Sequence, residues 1–183
     1  MIVDPGIIVW ADCEMTGLDL EKDELVEIAV LVTDANLKIL DKGIQLVIKP
    51  TDGALAGMSE FVKEMHEKSG LLQELSAGLS LAEAEWQIIA YLKKFLTPGI
   101  APLGGNSIGT DRAFIRKYMP EMNGFLHYRN IDVSTVKELA RRWAPDVLKS
   151  APEKAGGHRA LDDIRESIAE LEHYRANFFA PRL

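Results

Sequence analysis

The order of apolar and polar segments predicts an α/β fold: a mixed sheet, opened by an antiparallel three-stranded meander and flanked by helices. Three strand-like runs near the start are joined by short connections, and parallel neighbours would need a long crossover. Beyond residue 59, helical periodicity alternates with short strand-like runs, the pattern of helices packed on a sheet. The 183 residues, 47% hydrophobic and 27% charged, suit one domain spanning 1–183, and no repeat or composition break marks a second.

The first strand lies within the stretch IIVWADCEMTGLD, Ile7 to Asp19, which starts as the apolar run Ile7 to Trp10. A run of this kind suits a strand buried on both faces, whose end is where α/β proteins place ligands. Met15 to Glu24, with Gly17 and several acids, reads as a turn region. Leu25 to Thr33 is rich in branched residues and predicts the second strand; Ile39 to Ile48 predicts the third, ended by Pro50. A helix is expected from Ser59 to Ser69, stopped by Gly70, with Phe61, Val62, Met65 and His66 on one side. Ser80 and Glu83 form a capping-box pattern before the stripe Leu81, Ala84, Ile88, Leu92 and Phe95. Ala101 to Gly105 and Arg129 to Val133 predict short strands, leading into helices Thr110 to Met119 and Ser134 to Trp143, which Pro120 and Pro145 close. Lys149 to Gly157 reads as a loop, and Arg159 to Phe178 as a last helix burying Leu161, Ile164, Ile168 and Leu171.

Composition narrows the function. One cysteine, Cys13, excludes a disulfide framework and a multi-cysteine zinc site. The start MIVDPG lacks the basic and apolar regions of a signal peptide, and no run approaches the roughly 20 apolar residues of a membrane span, so a soluble cytoplasmic protein is expected. A net charge of −7 argues against coating long DNA or RNA, which needs many phosphate contacts from Lys and Arg. A short nucleic acid needs few.

The chemistry concentrates in acids. Asp12 and Glu14 are separated by one residue, so on a strand they point the same way and Cys13 the opposite way, into the core. Two carboxylates that close repel unless a cation lies between them, and hard divalent cations prefer carboxylate oxygens. Asp111 opens a helix straight after GGNSIG, at the edge where strands end, although an acid in a first helical turn is favoured by the helix dipole alone. His158 and Asp163 are five positions apart, roughly 140° around a helix, so both serve one site only if His158 sits in the preceding loop. Gly156 and Gly157 give it that freedom, and a histidine titrating near neutrality suits a general base.

Together, Asp12-x-Glu14, Asp111 within GNSIGTD, and His158 with Asp163 resemble the three motifs of the DEDDh 3′→5′ exonuclease superfamily. More narrowly, WADCEMTGLD, GNSIGTDRAFI, HYRNIDVSTVKEL and GGHRALDDI resemble the oligoribonuclease family, over about Ile8 to Tyr174. The resemblance implies an RNase H-like exonuclease fold, two divalent cations, Mg²⁺ or Mn²⁺, and a homodimer. By position, Asp12, Glu14, Asp111 and Asp163 would be metal ligands and His158 the base. The implied activity is hydrolysis of very short RNA, chiefly 5′-phosphorylated dinucleotides, to nucleoside 5′-monophosphates.

The same resemblance supplies substrate residues. Leu18 matches a leucine that wedges between the two bases, and Phe61 stands where the family usually has tryptophan, either stacking on a base or filling the core. His66, Ser107, Tyr128, Arg129 and Ser134 match positions that hold phosphates, the tyrosine reaching over from the other subunit. Two other readings remain: an exonuclease trimming longer RNA or single-stranded DNA, and a non-catalytic module, although no acid is lost. No G-x-G-x-x-G follows the first strand, so a dinucleotide-cofactor domain is set aside.

Overall fold

The computed structural model describes residues 6–152 and 159–179. In chain order it has β1 (Ile8–Met15), β2 (Leu25–Thr33), β3 (Ile44–Val47), α1 (Asp52–Gly57), α2 (Glu60–Lys68), α3 (Leu71–Glu74) with a following 3₁₀ turn, and α4 (Leu81–Leu92). Then come β4 (Leu103–Gly105), α5 (Gly109–Tyr118), α6 (Pro120–Phe125), β5 (Asn130–Asp132), α7 (Val133–Trp143), α8 (Pro145–Lys149) and α9 (Ala160–Asn177). The five strands form one mixed sheet in the order β3-β2-β1-β4-β5. β1 and β2, and β2 and β3, pair antiparallel, which is the expected meander. β4 and β5 add in parallel beside β1.

β1 is central and covered on both sides. Val9, Ala11 and Cys13 join α4, α5 and α6 in one core, whereas Ile8 and Trp10 pack under α7 and α9 in another. The period of two therefore turns Asp12 and Glu14 toward α9. Gly105 lets β4 end tightly against β1, because a Cβ there would lie 2.9 Å from the Ala11 carbonyl oxygen. Ser59 caps α2, and Ser80 with Glu83 closes the expected capping box on α4.

Several boundaries differ from expectation. The third strand is confined to Ile44–Val47, because Asp41 accepts the Gly43 N–H at 2.9 Å in a turn that Gly43 completes at φ 84°. Pro120 and Pro145 do close their preceding helices, yet each opens a further short one, since proline's fixed φ and missing N–H suit a first helical position. Helices α1 and α3 arise where the sequence offered too few periodic residues to mark them. Lys149 ends α8 rather than opening a loop, and the remainder of that expected loop from 153, together with His158, lies outside the described residues. Among the described residues, no helix is long and apolar enough to cross a membrane.

Candidate active site

Three segments remote in sequence bring their acids to one place. Ligand oxygens of Asp12 and Glu14 on β1 and Asp163 on α9 all lie within 4.8 Å of one another. Asp111, in the first turn of α5, is buried beside them, and its Oδ1 accepts the Cys13 N–H at 3.0 Å. That bond ties the helix to the strand between the two β1 acids. Cys13 packs into the core on the opposite face, as expected.

Burial and mutual repulsion set the charge state of this cluster before any cation binds. Burial first, then Asp111, Asp163 and Glu14, push the Asp12 carboxyl up to about 9. Glu14 is raised to about 8 by burial, Asp163 and Glu27, against an opposing pull from Arg159. Asp111 is raised less, to about 6, by burial against the hydrogen bond from Cys13. Acids held this close at a strand end fit hard divalent cations, which replace the repulsion with coordination.

Helix α9 is held over the cluster by a residue that belongs to none of the motifs. Glu27, fully buried on β2 opposite Glu14, accepts the Ala160 N–H at 3.0 Å at the start of α9. It also pairs with Arg159 at 3.0 Å, and Arg159 bonds Glu74 in turn. Glu27 is the lone acid in the otherwise uncharged run LVEIAVLVT, and that was its available signal.

An apolar cavity of about 250 Å³ adjoins Glu14, lined by Leu18, Phe61, Val62 and Met65. Leu18 and Phe61 are 73% and 77% exposed, so Phe61 does not fill the core and stands apart from its buried helix neighbour His66. Leu18 rides on a braced loop, in which Asp23 accepts from Thr16 Oγ1 at 2.9 Å and from the Asp19 N–H at 2.8 Å. The Tyr118 hydroxyl donates to the Asp23 carbonyl at 2.6 Å.

The residues matched to phosphate contacts divide into two groups. His66 is wholly buried, its Nε2 2.9 Å from the Met15 carbonyl oxygen and its Nδ1 3.9 Å from Glu14. That environment sets the ring against Glu14, with no exposed surface of its own. Ser107 and Ser134 come together, Ser107 N–H donating to Ser134 Oγ and to Asp132, both at 2.9 Å. Ser107 holds a left-handed φ of 50°, uncommon for a side-chain-bearing residue and frequent at functional sites. Tyr128 is 74% exposed, and the Arg129 guanidinium lies over its ring at 5.5 Å.

A family model described as exonuclease matches residues 9–171. An oligoribonuclease of Leifsonia xyli subsp. xyli is 58% identical over 173 residues, 94% of this chain and 84% of that protein. One from Streptomyces avermitilis is 56% identical over 176 residues, 96% of this chain and 88% of that protein. Among solved structures, an exonuclease I from Methylocaldum szegediense superposes with a TM-score of 0.65 at 20% identity, a likeness of fold alone. It covers 94% of this chain and 41% of that one, so the chain spans about two fifths of the larger enzyme. With acids from all three motif segments gathered at one strand end, and relatives matching over nearly its whole length, the chain belongs to the exonuclease family and, within it, to the oligoribonucleases.

Proposed function

We propose that this 3′→5′ exoribonuclease acts on the shortest RNAs, chiefly 5′-phosphorylated dinucleotides, and releases nucleoside 5′-monophosphates. The observation that carries the reading is the juxtaposition of the acid cluster with a small apolar cavity whose exposed members are Leu18 and Phe61. Acids at one end and exposed apolar side chains at the other suit a substrate of a few nucleotides, with its scissile phosphate over the carboxylates and its bases on the apolar floor. Asp12, Glu14, Asp111 and Asp163 would hold two divalent cations, Mg²⁺ or Mn²⁺. Such cations, when bound, activate water and offset charge on the attacking and departing oxygens.

The chain's own residues supply the rest. Leu18 would insert between the two bases and Phe61 stack on one, a contact worth roughly 1–3 kcal/mol per base. Ser107 and Ser134 would donate hydroxyls to phosphate oxygens. His158, adjacent in sequence to the anchored Arg159, would take the proton of the attacking water. Arg129, whose guanidinium stands over the exposed Tyr128 ring, would grip the 5′ phosphate through two hydrogen bonds. His66, against Glu14, would steady that carboxylate beside the phosphate. Tyr128, exposed beside Arg129, would cap the substrate of a second copy in a homodimer.

The test is a time course on 5′-labelled RNAs of about two, three, five and ten nucleotides in Mn²⁺ or Mg²⁺, with EDTA and Asp163→Ala controls. Selective loss of the dinucleotide supports the reading. Equal or faster trimming of the longest RNA replaces it with a general exoribonuclease. Sedimentation of the protein with and without Tyr128→Ala checks the dimer, and a fully active monomer would remove the role given to Tyr128.

A further inference from the structure

Arg112 follows Asp111 on α5, yet its guanidinium turns away from the acids toward the segment that carries Tyr128 and Arg129. Nη2 donates to the His127 carbonyl oxygen at 2.8 Å, and Nη1 to the Arg129 carbonyl oxygen at 3.1 Å. Nη1 also reaches Asn130 Oδ1 at 2.7 Å, and Nε reaches Asn123 Oδ1 at 3.3 Å. The two carbonyls flank Tyr128 on either side, so one planar fork fixes the backbone both before and after it.

The opposite side of this segment is tied to the β4 region. The His127 N–H donates to Ala101 at 2.9 Å, and Leu103 N–H donates to the Arg129 carbonyl at 3.2 Å. The carbonyl of Arg129 thus accepts from both β4 and Arg112, and the strand that begins at Asn130 is the sheet's outer edge. Without the fork, an edge strand of this length and the exposed pair before it would be held from one side only. Lysine cannot replace the arrangement, because an ammonium lacks a rigid fork able to span four acceptors.

We propose that Arg112 is a positioning residue for recognition of the 5′ phosphate: it couples the helix bearing Asp111 to Tyr128 and Arg129, setting the distance between the cleavage centre and the phosphate grip. The inference rests on the role given to Arg129 above. It places the measurement of substrate length in a protein-internal hydrogen-bond set, remote from any base or phosphate.

The experiment compares Arg112→Lys, Arg112→Gln, Arg129→Ala and the double variant Arg112→Gln/Arg129→Ala on RNA dinucleotides carrying a 5′ phosphate or a 5′ hydroxyl. Misplacing a gripping group by about 1 Å costs up to about 100-fold in rate. Both Arg112 variants are therefore expected to lose about tenfold or more in kcat/KM on the phosphorylated dinucleotide, chiefly through KM, and little on the hydroxyl form. Arg112→Gln should cost nothing further once Arg129 is alanine. Equal losses on both substrates, additive losses in the double variant, or no loss would each overturn the proposal. Asn130→Ala removes a single acceptor from the fork and is expected to give a smaller loss of the same selectivity; it serves if the Arg112 variants fail to unfold cooperatively. If the unaltered enzyme itself ignores the 5′ phosphate, the role given to Arg129 falls and the proposal with it, whereas the dinucleotide reading is still judged by the length series above.

Discussion

Replacing Asp12 by asparagine should abolish activity and make the metal-free protein more stable. The ligand oxygens of Asp12, Glu14 and Asp163 lie within 4.8 Å, and at an effective dielectric near 20 two unit charges at that distance repel by about 3.5 kcal/mol. The Asp12 and Glu14 carboxyls are raised to about 9 and about 8, so between about pH 4 and pH 9 the folded chain holds more protons than the unfolded one. Stability of the metal-free protein is therefore full below about pH 4 and falls as pH rises through that window. For Asp12 alone the loss is at most about 1.4 kcal/mol per pH unit, or about 4 kcal/mol by pH 7, burial being its largest cause and the neighbouring acids the next. In EDTA at pH 7, Asp12→Asn should unfold about 8–16 °C above the parent protein, since 1 kcal/mol moves the midpoint of a chain this size by about 2–4 °C. The difference should shrink toward zero at pH 4 and reverse with saturating Mn²⁺, which stabilises only a protein able to bind it. Calorimetry across pH with and without EDTA decides it. A metal-free Asp12→Asn protein no more stable than the parent at pH 7 would mean that hydrogen bonds already stabilise the charged acids, and the electrostatic reasoning would be refuted.

Mn²⁺ binding should release protons at pH 6.5, because the raised carboxyls must ionise to coordinate; titration calorimetry in two buffers of different ionisation enthalpy would show it, and equal heats would contradict it. Phe61→Ala should raise KM for a dinucleotide by about 5-fold to 150-fold while shifting stability by less than about 0.5 kcal/mol, as expected for a stacking residue on the surface. Steady-state kinetics with urea unfolding separates the two effects, and an unchanged KM would remove Phe61 from the site. Glu27→Ala should destabilise the protein by about 3 kcal/mol, because it strips a buried partner from Arg159 and the Ala160 N–H. Unchanged urea stability would show that Glu74 alone anchors Arg159.

The parts of the fold legible in the sequence are those with local signals. The alternation around Asp12 and Glu14 fixed their common face, the Ser80 and Glu83 pair marked the start of α4, and short connections gave the antiparallel meander. Asp163 was legible because a motif spacing points to it. Boundaries failed where one residue type serves two purposes: Pro120 both ends α5 and begins α6, and Gly43 breaks a run whose branched residues continue on both sides. His66 was legible as a matched position, but only tertiary packing reveals that its ring lies against Glu14 with no exposed surface.

Glu27 and Arg112 were illegible for a different reason. A catalytic acid is recognisable because chemistry demands its type at a spacing, whereas a bracing residue is defined by acceptors that folding alone brings to it. Arg112 serves carbonyls of residues 127 and 129, and Glu27 serves the amide of residue 160, all distant in sequence and identical in chemistry to every other peptide group. Both braces run from an element beside the acids to a segment remote in sequence: α5 to the one with Tyr128 and Arg129, and β2 to the start of α9 with Asp163. The sheet supplies a rigid origin, and these two charged side chains convert it into fixed distances between groups that no single element carries. Because such braces touch no substrate, their loss should alter selectivity or stability before it alters the chemical step, a separation that loss of Asp12 or Asp163 cannot produce.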